Sequence, residues 1–137
     1  MAGIAMAERR RGSGFLHHRV LRLLKAGQPY PLTGLQLVEL LQAEGDTVSV
    51  SQVYRALRRL VEDGSIRKIL VAGGYAPVWQ EPAILLWCRA CGALREIPCP
   101  TAFVRLHRIA EAAGMTETRC LIEVPGTCAD CSAQSRG

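Results

Sequence analysis

Cys88-Arg89-Ala90-Cys91 and, after 36 intervening residues, Cys128-Ala129-Asp130-Cys131 frame the C-terminal part of this 137-residue chain. Two residues between cysteines let one tight turn aim both sulfurs at a single ion. Four thiolates at ~2.3 Å complete a tetrahedral Zn²⁺ site and leave no open position, so the site is structural rather than catalytic. Gly92 follows the first pair directly, where the backbone must curl around a metal. The competing reading, two disulfides or free buried thiols, fits C-x-x-C spacing less well. One Zn²⁺ per chain is therefore expected at Cys88, Cys91, Cys128 and Cys131.

Working outward, the charge is uneven. Residues 1–80 hold 11 Lys and Arg against 6 Asp and Glu; residues 81–137 hold 6 against 6, and all six cysteines. A basic module beside a neutral, cysteine-bearing one suggests a polyanion partner for the first, with nucleic acid the default. The longest apolar run, Ala83 to Trp87, is too short to span a membrane. Three consecutive arginines near the N-terminus are followed by no apolar segment, so residues 1–14 read as a basic arm and not an export signal. A cytoplasmic, reducing compartment follows, where such cysteine pairs hold metal.

Leu16 to Lys25 reads as a helix with Leu16, Val20, Leu23 and Leu24 on one face and Arg19 on another. Gly27 and Pro29 stop it. Thr33 and Gln36 form a capping box for a second helix ended by Gly45. Ser49 and Gln52 form another for a third, whose core face is Val50, Val53, Leu57, Leu60 and Val61. Its outer face carries Ser51, Arg55, Arg58, Arg59 and Glu62, and Gly64 stops it. Ile66 to Val71, the Gly73-Gly74 turn and Tyr75 to Trp79 make a hairpin bearing Arg67 and Lys68. Three helices and a hairpin form a winged helix, whose third helix enters the major groove. The alternative is a three-helix core with a merely solvated charged face.

Gln80-Glu81-Pro82 is a linker. Beyond it, strands are expected at Ala83–Cys88 and Ala93–Ile97, a helix at Thr101–Ala113 and a strand at Glu117–Val124. The expected helix is capped by Thr101 and buries Phe103, Leu106, Ile109, Ala110 and Ala113. The tail from Ser132 onward reads as disordered. The fold class is α+β: a winged-helix domain over 1–80 and a zinc-stabilised dimerisation domain over 81–137 with a three-stranded antiparallel sheet. So small a sheet cannot cover both faces alone, which favours a homodimer.

Val50-Ser51-Gln52-Val53-Tyr54-Arg55-Ala56-Leu57, followed by a glycine-rich wing, a C-x-x-C-G hairpin, a helix, a strand and a final C-x-x-C, resembles the Fur (ferric uptake regulator) family of repressors. The resemblance covers roughly residues 15–131 and looks closest to the zinc uptake regulator branch. It implies a homodimer on a pseudo-palindromic operator, with Tyr54 a base contact against thymine methyls and Arg55 a base or phosphate contact. Ser51, Gln52, Arg58, Arg59, Arg67, Lys68 and Arg19 complete the expected DNA-facing set. A core position is the alternative for Tyr54.

The departures concern metal sensing. Pro31, Leu85 and Thr127 stand where members of that family carry histidines, and Glu81 where the zinc branch has one; Glu96 matches a family ligand. Two carboxylates make no selective transition-metal site, so zinc is expected to be structural only. His17 and His18 are neighbours on a helix, about 100° apart, and chelate poorly. His107 is expected on the exposed side of its helix. Cys99 and Cys120 are expected at similar heights at the far end of the sheet, either as a redox pair or as small buried hydrophobes. The alternatives are a working zinc sensor around Glu81 and Glu96 and a protein-binding adaptor. A zinc enzyme is disfavoured by four filled thiolate positions.

Overall fold

The computed structural model describes residues 15–135. The expected basic arm, residues 1–14, and the last two residues lie outside the described residues. The chain divides between Val78 and Trp79 into two compact units.

In the first unit, residues 15–26 form α1. It is followed by α2 (Gly34–Ala43), α3 (Val50–Glu62), β1 (Ile66–Ile69) and β2 (Gly74–Pro77). Both capping boxes form as the spacing predicts: Thr33 with Gln36, and Ser49 with Gln52. Val20 and Leu24 of α1, Leu37 and Leu41 of α2, and Val53, Leu57 and Leu60 of α3 meet in one buried cluster. Val50 and Val61 do not join it; they are 46% and 37% exposed. They lie at the rim of the apolar stripe, and the buried small residue that completes it is Ala56.

The hairpin turn occupies residues 70–73 rather than Gly73-Gly74. Leu70 and Val71 belong to the turn, closed by the Gly73 amide on the Ile69 carbonyl (2.9 Å), with Gly73 at φ 67°. That left-handed residue favours glycine, and Gly74 can then begin β2. Tyr75 of β2 also exchanges both backbone hydrogen bonds with Leu32 (3.0 and 2.8 Å). The segment before α2 is thus a one-residue third strand of the wing, which Pro31 hid from a strand reading.

The second unit contains β3 (Ala83–Cys88), β4 (Leu94–Pro98), α4 (Pro100–Ala112), β5 (Glu123–Gly126) and α5 (Ala129–Ser135). The sheet order is β4-β3-β5. It is mixed, correcting the all-antiparallel expectation: β4 pairs antiparallel to β3, and β5 pairs parallel to it, Leu85 opposite Glu123. The reason is the cysteines. β3 delivers Cys88 at its C-terminal end, so a neighbour that delivers Cys128 to the same place must run the same way.

Four further expectations shift. α4 is capped at Cys99 with no side-chain bond, because Pro100 takes the first helical position, which suits its fixed φ. Phe103 is the buried residue of α4, with His107 and Ala110 half-buried one and two turns on. Leu106 and Ile109, expected inward, are 38% and 63% exposed. His107, expected outside, places Nδ1 2.8 Å from the Thr118 hydroxyl. The tail from Ser132 is helical as far as Ser135, because α5 starts directly on the Cys128 carbonyl (Ser132 amide, 2.9 Å).

Candidate zinc centre and nucleic-acid interface

Cys88 ends β3 and is buried; Cys91 lies in the turn into β4 and is exposed. The turn is braced by the Gly92 amide on the Cys88 carbonyl (2.8 Å) and by the Trp87 indole N–H on the Gly92 carbonyl (3.1 Å). Gly92 is at φ 82°, so the glycine after the second cysteine supplies a left-handed step. Cys128 precedes α5 and Cys131 lies in its first turn. The Arg89 amide on the Gly126 carbonyl (2.8 Å) ties the two cysteine arms together.

The four sulfurs lie within 4.8 Å of one another. Cys91 and Cys128 sulfurs are 3.9 Å apart, close to the ~3.8 Å edge of a tetrahedron with ~2.3 Å zinc–sulfur bonds. Backbone amides of Cys128 (3.3 Å) and Cys91 (3.5 Å) donate to Cys88 Sγ. Those bonds, Cys128 first, bring the Cys88 thiol down to about 6. The Cys131 thiol is pushed up to about 12, by its bond to Cys128 first and then by burial. Sulfurs this close cannot all ionise unless a dication offsets their repulsion. Geometry and donor chemistry both fit a Cys₄ zinc.

Among the described residues, these cysteines are the group that could hold a metal ion. Glu96 is engaged with the linker instead. One of its carboxylate oxygens accepts the Gln80 amide (3.0 Å) and lies 3.3 Å from that of Trp79. Glu81 is exposed. Cys99 and Cys120 are free thiols. Continuing the strand registers puts both beside Pro82, on opposite edges of the sheet. Neither lies in a paired strand, since β4 ends at Pro98 and β5 begins at Glu123, but on that continuation β3 stands between them. Two strand spacings are about 9–10 Å, beyond the ~4.4–6.8 Å a disulfide spans.

In the first unit, α3 turns Val53, Ala56, Leu57 and Leu60 inward and leaves Ser51, Gln52, Tyr54, Arg55, Arg58 and Arg59 exposed. Gln52 is partly engaged, since its side-chain oxygen accepts the Ser49 amide (2.9 Å). Ser51 lies 3.2 Å from the Ser49 hydroxyl. Arg59 shares a hollow of about 370 Å³ with His17, Glu62 and Asp63, whose carboxylates offset its charge. Arg55 lies one turn earlier on α3. On the wing, Lys68 is exposed and Arg67 half-buried. Tyr54 is no core residue; it is 41% exposed and leans on Gly34 of α2. Gly34 escaped the sequence reading, although a glycine directly after a good cap was a visible anomaly.

Arg19 is placed differently from the other expected DNA contacts. Its guanidinium bridges Asp46 and Glu44 (2.6 Å to the latter), and Arg22 also reaches Glu44 at 2.9 Å. The bridge ties α1 to the turn that leads into α3. Hydrogen bonding from Arg19 first, and then from Arg22, holds the Glu44 carboxyl below its ordinary value of 4.5. A carboxylate with a lowered folded-state pKa stabilises the fold above its unfolded value and loses that contribution as pH falls through the lowered one. Arg19→Ala should therefore lower the melting temperature at neutral pH. The gap to wild type should close as pH falls through 4.5 and below, in parallel thermal melts.

Known proteins resemble the whole of this architecture. The Ferric uptake regulator family model matches residues 17–125. The zinc uptake regulation protein of Escherichia coli K12 is 28% identical over 117 residues, covering 82% of this chain and 68% of its own length. That of Mycobacterium tuberculosis H37Rv is 25% identical over 99 residues, covering 70% and 76%. Among solved structures, a zinc uptake regulator complexed with zinc and DNA aligns with TM-score 0.81 at 24% identity, over 97% of this chain and 95% of that one. Holo XcZur aligns with TM-score 0.76 at 24% identity, over 86% and 84%. The structural likenesses establish the fold. With the family model spanning both units, this chain belongs to the ferric uptake regulator family of transcription regulators, toward its zinc uptake regulators.

Proposed function

We propose that this chain is a DNA-binding repressor that acts in the cytoplasm as a homodimer on a pseudo-palindromic operator. Its Zn²⁺ at Cys88, Cys91, Cys128 and Cys131 closes the fold and does not act as the signal. The observation that carries the reading is the outer face of α3, where Tyr54, Arg55 and Arg58 stand exposed beside the cap residues Ser51 and Gln52. Arginine forks read guanine edges and capped helix starts fit the major groove. Lys68 and Arg67 on the wing, with Arg59, would hold phosphates. Dimerisation is supported by the apolar residues that the second unit leaves outside, among them Ile109, Met115 and Leu121, each at least 60% exposed. Such surface marks an interface.

A sensor site at Glu81 and Glu96 gains no support from the hydrogen bonds Glu96 makes to the linker. An adaptor without DNA contact is a separate outcome of the test. The zinc-loaded chain is offered a random-sequence duplex pool, and the selected duplex is titrated against a random one. Arg55→Ala should cost ~1–3 kcal/mol on the selected duplex and narrow its advantage. Lys68→Ala should weaken both duplexes alike and reduce the salt slope by about one. Two chains should bind per duplex, and added Zn²⁺, Fe²⁺ or Mn²⁺ should change affinity by less than about tenfold. Equal losses for Arg55→Ala on both duplexes would remove base reading. Failure to retain any duplex at low salt would leave the adaptor.

A further inference from the structure

Gly34 opens α2, and it is buried. Its backbone is not in the left-handed region, so conformational freedom is not why a glycine stands there. Space is. A Cβ at Gly34 would lie 2.4 Å from Tyr54 Cζ, 2.6 Å from Tyr54 Oη and 2.9 Å from Cε1. No carbon tolerates such approaches, so the Tyr54 ring lies against the backbone at the start of α2 only because position 34 has no side chain.

The same segment faces the wing on its other side. Leu32, two residues before Gly34, exchanges both backbone hydrogen bonds with Tyr75 of β2. A Cβ at Gly74 would come within 3.1 Å of the Leu32 carbonyl. The Tyr75 hydroxyl is raised by burial first and then by the charge of Tyr54, which places the two phenols in one neighbourhood. Residues 32–34 therefore form a bracket held by the wing on one side and by a side chain of α3 on the other.

We propose that Gly34 is a positioning residue for sequence reading: by leaving room for the Tyr54 ring, it fixes how that ring is presented from α3 and couples the helix to the wing. The inference rests on α3 being the DNA-reading helix. A ring free to turn would offer the groove many edges and discriminate poorly, whereas a ring seated on backbone loses little freedom on binding.

The test is a double-mutant cycle on Gly34→Ala and Tyr54→Ala, measured on the selected and the random duplex. Alanine suits a first helical turn better than glycine, so Gly34→Ala should keep its melting temperature and zinc content. It should lose about tenfold or more in affinity for the selected duplex, ~1.4 kcal/mol, with little change on random DNA. In the Tyr54→Ala background, adding Gly34→Ala should change nothing, and this comparison stands even if the single Gly34→Ala protein fails to fold. Without DNA, the Tyr54 ring resonances should shift in Gly34→Ala and those of Tyr30 should not. Unchanged affinity in Gly34→Ala, or the same loss in both backgrounds, overturns the proposal. If the wild-type chain selects no duplex at all, the reading of α3 itself fails and this inference falls with it.

Discussion

Replacing Cys88 with serine should unfold the second unit, not merely weaken an affinity. Structural zinc in small domains carries apparent binding energies of ~10–16 kcal/mol at neutral pH, as large as the whole net stability of an ordinary domain, about 5–15 kcal/mol. The unit has little else to rely on: among the described residues, its fully or nearly buried hydrophobic ones are Ala83, Leu85, Cys88 and Phe103. Cys88 also sits where the arms cross, its sulfur taking amide bonds from both Cys91 and Cys128. Cys88→Ser should therefore bind less than one equivalent of zinc and lose the cooperative melt of this unit, followed by metal analysis and circular dichroism. Cys99→Ser is the control, since Cys99 lies at the other end of β4. It should keep full zinc content. A Cys88→Ser protein that is zinc-free and still melts cooperatively in this unit would show that the metal is dispensable to the fold.

Leu57→Ala should cost about 2–5 kcal/mol, the range for removing a fully buried leucine and leaving a cavity. Leu57 has no exposed surface and lies in the buried cluster with residues of α1, α2 and α3. The loss is a large share of a domain's net stability, so DNA binding should fall on every sequence alike as the reading helix loses its seat. Val61→Ala, on the same helix, should cost far less, because Val61 is already 37% exposed. Urea melts of the two variants measure the difference. Similar midpoints would mean that α3 is held by something other than the apolar cluster.

Much of this architecture was legible. Capping boxes, glycine stops and the cysteine spacing are local signals, and each appears where the residues placed it. The four-cysteine cluster was readable because two C-x-x-C pairs have few other uses. What misled was tertiary. The direction of β5 depends on which neighbour it pairs with, and no local pattern states that. The inward face of α4 was misjudged because Leu106 and Ile109 are apolar without being covered in one chain, while His107 turns inward to Thr118. The engagement of Arg19 with Glu44 and Asp46 was not visible, because these partners lie 25 and 27 residues away. Gly34 could be seen as odd, but only the position of Tyr54 explains it.

The parallel pairing of β5 on β3 also sets an order of assembly. β3 and β4 are joined by a short turn and can pair as soon as both are made, since local contacts form ahead of distant ones. That turn already holds Cys88 and Cys91. β5 must wait for α4 and the loop after it, and Cys128 and Cys131 come later still. A chain emerging from the ribosome therefore presents a two-thiolate claw well before the second pair exists. A metal ion caught there would wait for the late strand and guide it to the correct side of β3, a register pin during folding before a rivet in the finished protein.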